Sequence, residues 1–356
     1  MQISLPKRYS PPSHRLLRSV ERFCRDVLCL PRGARLLLAV SGGADSCALA
    51  VIMHLLAPRL GLTLHACTVD HALRPEAASD ALYARQLCIS LDIPCTICQA
   101  RVRDYAATHR LGLEDAGRHL RYALLEQQRV HYKAEWIALG HHAGDVSEDV
   151  LLRLVRGTGW PALGGMQGRD PTRHILRPLL FADPAELRRL LKECHIDWRE
   201  DSSNADLHFR RNRLRHAVLP LLRAENPALD RSLNSLWQLA RLDADYWNTQ
   251  LDAILADCPW QEEADGLLLP AELLQHVLPA VRLRLYMHAI RHLRTRQRPG
   301  VKGQARAHTL FALDAALSQR HGSKRFQLPG GIEAQLIKGG IRFSLVETKN
   351  RSQAHR

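Results

Sequence analysis

The chain has 356 residues, enough for two domains that each bury a core. Fifty Lys and Arg against 36 Asp and Glu leave a net charge of +14, which points to a polyanionic partner, nucleic acid or a membrane surface. No apolar run approaches the roughly 18–20 residues that span a bilayer, and the first residues carry no secretory apolar segment. Nine cysteines scattered through apolar segments suit reduced core thiols in a cytoplasm, so RNA or DNA is the expected partner.

Residues 1–33 read as a proline-containing lead and one helix, His14 to Cys29. Arg35 to Val40 has the look of a buried strand. It stops at Ser41-Gly42-Gly43, and from Ala44 the pattern turns helical, with Cys47, Leu49, Ala50, Ile52 and Met53 continuing without a breaker. A strand, a glycine turn and a helix N-terminus form an anion trap. Glycine lets the backbone approach a phosphate, and unpaired N–H groups and the helix dipole point at it. The string Ser41-Gly42-Gly43-Ala44-Asp45-Ser46 adds two hydroxyls for phosphate oxygens. Asp45 beside a polyphosphate makes sense with Mg²⁺ between them. The bland alternative is that Ser41 and Ser46 are turn or cap residues and Asp45 merely complements the dipole. No G-x-x-x-x-G-K-[ST] occurs, which disfavours a γ-phosphate-transferring P-loop enzyme. The stretch resembles the pyrophosphate-binding loop of the ATP pyrophosphatase (PP-loop) superfamily. That resemblance implies cleavage of ATP between the α and β phosphates and adenylation of an oxygen on the substrate.

Strand and helix then alternate. Strands are expected at Thr63–Asp70, Ile93–Gln99 and Trp136–Gly140, and helices at Glu76–Ser90, Glu114–Val130 and Asp145–Val155. This order predicts an α/β fold with a doubly wound parallel sheet, whose ligands bind at the carboxyl ends of the strands. Three polar clusters follow three strands: the Ser41–Ser46 loop, Asp70-His71-Ala72-Leu73-Arg74, and Gly140-His141-His142-Ala143-Gly144-Asp145 with Glu148. They are expected to share one crevice.

Further on, Glu114, Arg118, Arg121 and Tyr122 recur at helical spacing, Arg153 to Met166 is a glycine-punctuated loop, and residues 200–216 carry three acids, two serines, two asparagines and four arginines. With the earlier motifs these resemble the tRNA(Ile)-lysidine synthetase family, densely over residues 35–222 and more weakly to about 347. The resemblance implies a carbon–nitrogen ligase with an adenine nucleotide α-hydrolase-like domain at 1–222, a smaller, mainly helical tRNA-binding domain at 223–347, and a flexible basic tail at 348–356. It implies attack of cytidine 34 O2, in the CAU anticodon of tRNA(Ile), on the ATP α-phosphate, then displacement of AMP by free L-lysine. On this reading Ser41, Gly42, Gly43, Ala44, Asp45, Ser46, Asp70 and His71 bind ATP, and Asp45 with Asp145 or Glu148 holds Mg²⁺. Arg118 neutralises the α-phosphate or the adenylated intermediate, and either Glu148 or Glu114 binds the lysine ammonium. Arg210, Arg211, Arg213 and Arg215 contact tRNA. Gly144 stands where the family usually has Asp, Asp149 where it has Thr, and Ser202 where it has Pro.

A second reading, within the superfamily, is a tRNA thiolase. A third is a catalytically silent tRNA-binding homologue, to which Gly144 and Asp149 would point. No membrane partner is expected, and whether the chain forms a homodimer is left open.

Eleven Lys/Arg and one acid between Arg282 and Arg325 are read as a tRNA-gripping surface. Trp237 and Trp247 are expected in the core. Cys95-x-x-Cys98 reads as a core pair, and His288 with His292 as structural or RNA-facing, not as metal ligands.

Overall fold

The computed structural model describes residues 5–6, 8–73, 75–200, 210–297, 305–319 and 323–346. Arg74, Ser202 with its neighbours at 201–209, and the basic tail lie outside the described residues.

The chain opens with α1 (Pro11–Arg22), extended by a π-helical turn at Phe23–Val27. Ser10 caps it through its hydroxyl and Pro11 sets the first turn, so it begins three residues before the expected start. There follow β1 (Arg35–Ala39), α2 (Ala44–Leu60), β2 (Thr63–Asp70), α3 (Ala77–Ser90), β3 (Cys95–Gln99), α4 (Val102–His109), α5 (Leu113–His131), β4 (Trp136–Ala138) and α6 (Ala143–Val155). Next come β5 (Arg169–Asp170), β6 (Ile175–Leu176), α7 (Pro184–Glu193), α8 (Arg210–Arg213) with a π-helical turn at Leu214–Val218, and α9 (Leu219–Glu225).

The strands order as β3-β2-β1-β4-β6-β5, all parallel except the β5–β6 pair. Leu36, Leu37 and Leu38 are essentially sealed from solvent although successive residues face opposite sides. Both faces of the sheet are therefore covered, as parallel sheets require. Leu37 packs into a cluster with Cys67, Leu125, Ile137 and Ile175. Helix α2 is apolar all round and buried from Cys47 through Met53, which marks it as a central element of the first unit.

The remaining elements are α10 (Leu229–Asp257), β7 (Gln261–Glu262), β8 (Gly266–Pro270), α11 (Ala271–His276), α12 (Pro279–Gln297), α13 (Ala307–Ser318), β9 (Arg325–Leu328), β10 (Ile332–Ile337) and β11 (Gly340–Leu345). The five strands form an antiparallel sheet ordered β7-β8-β11-β10-β9. Its inner face presents Ile332, Ala334 and Leu336 alternately from β10 and packs on Leu285, Tyr286 and Leu293.

By packing, the chain divides into two units. One comprises residues up to Leu151 with Gly165–Ser235, the other Leu152–Gly164 with the chain from Leu236 onward. The sequence reading put the division at 222/223. The difference has a packing cause, because the glycine-punctuated loop seats on α10 within the second unit. A Cβ on Gly164 would meet the Ala240 Cβ at 2.2 Å, and Trp160 donates its indole N–H to Asp243.

The second unit also revises the reading of the basic stretch. Arg282 is tied to Asp314 by two hydrogen bonds of 2.7 and 2.9 Å, with Tyr286 donating to the same carboxylate, so this arginine holds the core and does not face a partner. Arg284 lies over the half-buried Trp247 ring, while Trp237 is buried in the core. The His288 and His292 rings lie tilted against Trp260, and His292 bonds Glu262 at 3.0 Å. All nine cysteines are free thiols, six of them buried. Among the described residues no helix is long and apolar enough to cross a membrane.

Candidate active site

The order β3-β2-β1-β4 reverses direction between β1 and β4. Loops leaving the carboxyl ends of those two strands therefore open a crevice instead of crossing over one side. Ser41–Gly43 leaves β1 and Gly140–His142 leaves β4 at that point. The two meet closely, since a Cβ on Gly140 would sit 2.8 Å from the Asp45 carbonyl oxygen. No other residue fits there without moving the start of α2.

Within the first loop the two serines have different jobs. Ser46 accepts a hydrogen bond from the Ser41 N–H at 3.1 Å and donates to the Gly43 carbonyl at 2.9 Å, so its hydroxyl braces the turn. Ser41 is exposed. Gly42 turns at φ +88°, and its carbonyl accepts from the Arg199 N–H at 2.9 Å. Gly43 caps α2 without a side chain, which leaves the first-turn amides of the helix available to an anion.

Three acidic and imidazole groups gather beside this loop. His142 Nε2 lies 3.4 Å from Asp45 Oδ2 and 3.7 Å from Asp145 Oδ2, and the His142 N–H donates to Asp145 at 2.9 Å. Gly144 donates its N–H to His142 Nδ1 at 3.0 Å. A ring nitrogen that accepts carries no proton, so the geometry is that of the tautomer with hydrogen on Nε2, aimed at the two carboxylates. Burial lowers the His142 pKa, and the hydrogen bond and charge of Asp45 and Asp145 more than offset it, leaving it raised. A Cβ on residue 144 would meet His142 Cε1 at 2.9 Å. Glycine at this position is thus what lets the imidazole fold back between the carboxylates. Asp45 Oδ1 is buried with no hydrogen-bond partner among the described residues.

Asp145 and Glu148 stand one turn apart on α6, and both are nearly sealed, Glu148 at 2% exposure. Arg211 bridges them, reaching Glu148 at 2.5 Å and also Asp145, while Arg215 pairs with Glu148. Burial raises the Asp145 pKa, but His142 and Arg211 pull it below the usual carboxylate range. The predicted RNA-facing quartet is therefore split. Arg211 and Arg215, four residues apart, turn to the carboxylates; Arg210 and Arg213 are exposed. Ser147, between the two acids, donates to Asp230 at 2.6 Å, and Arg223 holds the same Asp230.

Asp70 accepts from the Ala72 N–H at 2.8 Å and lines a cavity of about 400 Å³ with Ala72, Leu73, Pro75, Ala78 and Gln99. His71 lies against Gly117 of α5. Arg118 is exposed on α5 and lies over the Tyr122 ring. Glu114 is exposed on the first turn of the same helix, away from the sealed Glu148. The sequence places His142 in the polar cluster after β4 but gives it no role of its own. The engagement of Arg211 and Arg215 with acids more than sixty residues away left no local signal.

The PP-loop domain family matches residues 12–222. The chain is 44% identical over 328 residues to a tRNA(Ile)-lysidine synthase from Nitratidesulfovibrio vulgaris, covering 88% of this chain and 92% of that protein. It is 36% identical over 262 residues to a tRNA(Ile)-lysidine synthase from Solibacter usitatus, covering 72% of this chain and 57% of the relative. In fold it is similar to a U34-tRNA thiolase, NcsA, from Methanococcus maripaludis with its [4Fe-4S] cluster. That likeness has a TM-score of 0.52 at 16% identity, over 64% of this chain and 80% of the other. Among the described residues no three His, Cys, Asp or Glu gather in a way that could hold a metal ion.

Proposed function

Because the chain belongs to the PP-loop family of tRNA(Ile)-lysidine synthases, we propose that it ligates free L-lysine to C2 of cytidine 34 in the CAU anticodon of tRNA(Ile) in the cytoplasm, converting ATP to AMP and diphosphate. The observation that carries this reading is the meeting of Asp45, His142 and Asp145 at the mouth of the Ser41–Ser46 loop.

In the first step cytidine O2 attacks the α-phosphorus and diphosphate leaves. The first-turn amides of α2 and the Ser41 hydroxyl hold the departing phosphates, where fixed donors matter most as charge develops. Asp45 Oδ1, a buried carboxylate oxygen without a hydrogen-bond partner among the described residues, suits a divalent cation. Asp145 suits it less well, because Arg211 already takes its Oδ1. Mg²⁺ bound by Asp45 would supply neutralisation of the leaving diphosphate. His142 keeps the two carboxylates apart and oriented through its Nε2–H.

In the second step the lysine side-chain amine attacks C2, the C2–O bond breaks, AMP leaves and the amine loses a proton. Glu148 is assigned to the lysine ammonium, which would have to share a buried carboxylate already held by Arg211 and Arg215; the exposed Glu114 is the other candidate. Arg210 and Arg213, exposed on α8, are assigned to tRNA contact.

The reading is tested by following diphosphate and AMP release from ATP with a CAU-anticodon isoleucine tRNA, with and without lysine. Lysine-dependent AMP release, matched by one lysine mass gained per tRNA, is the expected result. Diphosphate release without lysine dependence would favour a thiolase-type reaction, and tight tRNA binding without release a silent homologue.

A second expectation concerns Gly144. Gly144→Ala puts a methyl group against His142 Cε1 and should drive the ring out from between Asp45 and Asp145. An ångström of misplacement in such a cluster is worth on the order of a hundredfold in rate. Initial rates of diphosphate release should therefore fall at least tenfold, and an unchanged rate would remove His142 from the machinery.

A further inference from the structure

Helix α5 carries Arg118 one turn before Arg121 and Tyr122, and the β5–β6 connection brings Arg173 to the same phenol ring, with the charge of Arg177 acting on it as well. The Arg173 guanidinium lies 4.2 Å from the ring centroid, Arg118 5.3 Å and Arg121 5.4 Å. Arg177 is buried behind them, donating to the Gln167 carbonyl at 2.5 Å and to His141 Nδ1 at 3.2 Å. Among the described residues neither Arg121 nor Arg173 forms an ion pair with a carboxylate, and only Asp149 and Asp170 act on Arg177 from a distance. Burial raises the Tyr122 pKa, but the four surrounding arginines bring it below its ordinary value, a measure of how positive the spot is.

Four like charges around one ring repel, and nothing acidic in ion-pair contact relieves Arg121 or Arg173. Such a cluster is stable in use when an anion joins it. The triphosphate already has its own cradle at the start of α2. Arg121 instead lies within electrostatic reach of Arg211 and of His141, which stands on the loop leaving β4. A planar guanidinium over an aromatic ring is also what unstacked RNA offers its phosphates and bases to.

We propose that Arg121 and Arg173, grouped on Tyr122 and reinforced by the charge of the buried Arg177, form a subsite for a backbone phosphate of the RNA substrate beside the reacting nucleotide. The subsite rests on the RNA-modifying reading above.

The test uses the full chain without ATP or lysine and measures anisotropy of a labelled CAU anticodon stem-loop RNA across a salt series. Arg173→Ala should weaken binding about tenfold at low salt and reduce the slope of log Kd against log salt by about one. Affinity for ATP alone should not change. Arg121→Gln should act in the same direction. Arg173→Lys, which keeps the charge, should retain the slope; an equal loss in the lysine variant would mean a lost fold rather than a lost phosphate contact, and sinks the proposal. So does an unchanged slope in the alanine variant, or a fall in ATP affinity with RNA binding intact, which would hand the cluster to the nucleotide. No turnover is required, so this outcome is independent of whether lysine is the nucleophile.

Discussion

Asp45→Ala is expected to lower diphosphate release by about a thousandfold while leaving tRNA binding within about twofold. The size follows from what the side chain does at rest. Its Oδ1 is buried and makes no hydrogen bond among the described residues, and its Oδ2 meets His142 only at 3.4 Å. A buried acceptor without a partner costs stability, so its retention needs a ligand to justify it. Removing it should leave the melting temperature unchanged or slightly higher. The combination of lost chemistry, kept fold and kept RNA affinity separates a catalytic role from a structural one. A variant that melts early, or that loses tRNA binding in proportion, would make Asp45 a scaffold residue. A variant with undiminished release would return the chain to the silent-homologue reading.

The parts legible in the sequence were those with short-range causes. Thr63–Asp70 is strand over the full expected range, and the Ser41–Ser46 loop sits between a strand and a helix because apolar runs and glycines mark those boundaries locally. The meeting of the loops after β1 and β4 follows from parallel topology, and so was foreseeable. Helix α4 was missed because eight residues with Val102 and Ala106 as their buried anchors make too brief a periodic signal. The antiparallel sheet of the second unit was also missed, although Ile332, Ala334 and Leu336 alternate as a half-buried strand should. Ser46 looked like a phosphate ligand, and only the three-dimensional loop reveals that its hydroxyl is occupied in bracing the turn. Arg211 and Arg215 read as an RNA patch because a run of arginines carries no sign of which members face inward. Tertiary contact alone sorts them.

That sorting gives Glu148 its expected effect. Glu148→Gln keeps the shape of the side chain but leaves Asp145 as the paired counter-charge of Arg211 and Arg215, with Asp149 acting on Arg211 from a distance. Breaking a buried pair from one side costs about 3–5 kcal/mol. Here both arginines are about one-third exposed and partly solvated, so about 2 kcal/mol is the fitting magnitude. In a unit of this size that is a fall of roughly 4–8 °C in melting temperature. The chemical consequence should be larger and confined to one step. An amide cannot pair with the lysine ammonium or take its proton, whereas the adenylating end of the crevice, around Asp45 and the loop amides, is untouched. Diphosphate release should persist within about tenfold while lysine transfer drops at least about a hundredfold. Both are read from one reaction by comparing diphosphate with tRNA mass gain. If the two fall together, Glu148 serves adenylation and the lysine ammonium binds elsewhere. If neither falls, the carboxylate is there to hold Arg211 and Arg215, and the melting temperature alone will register its loss.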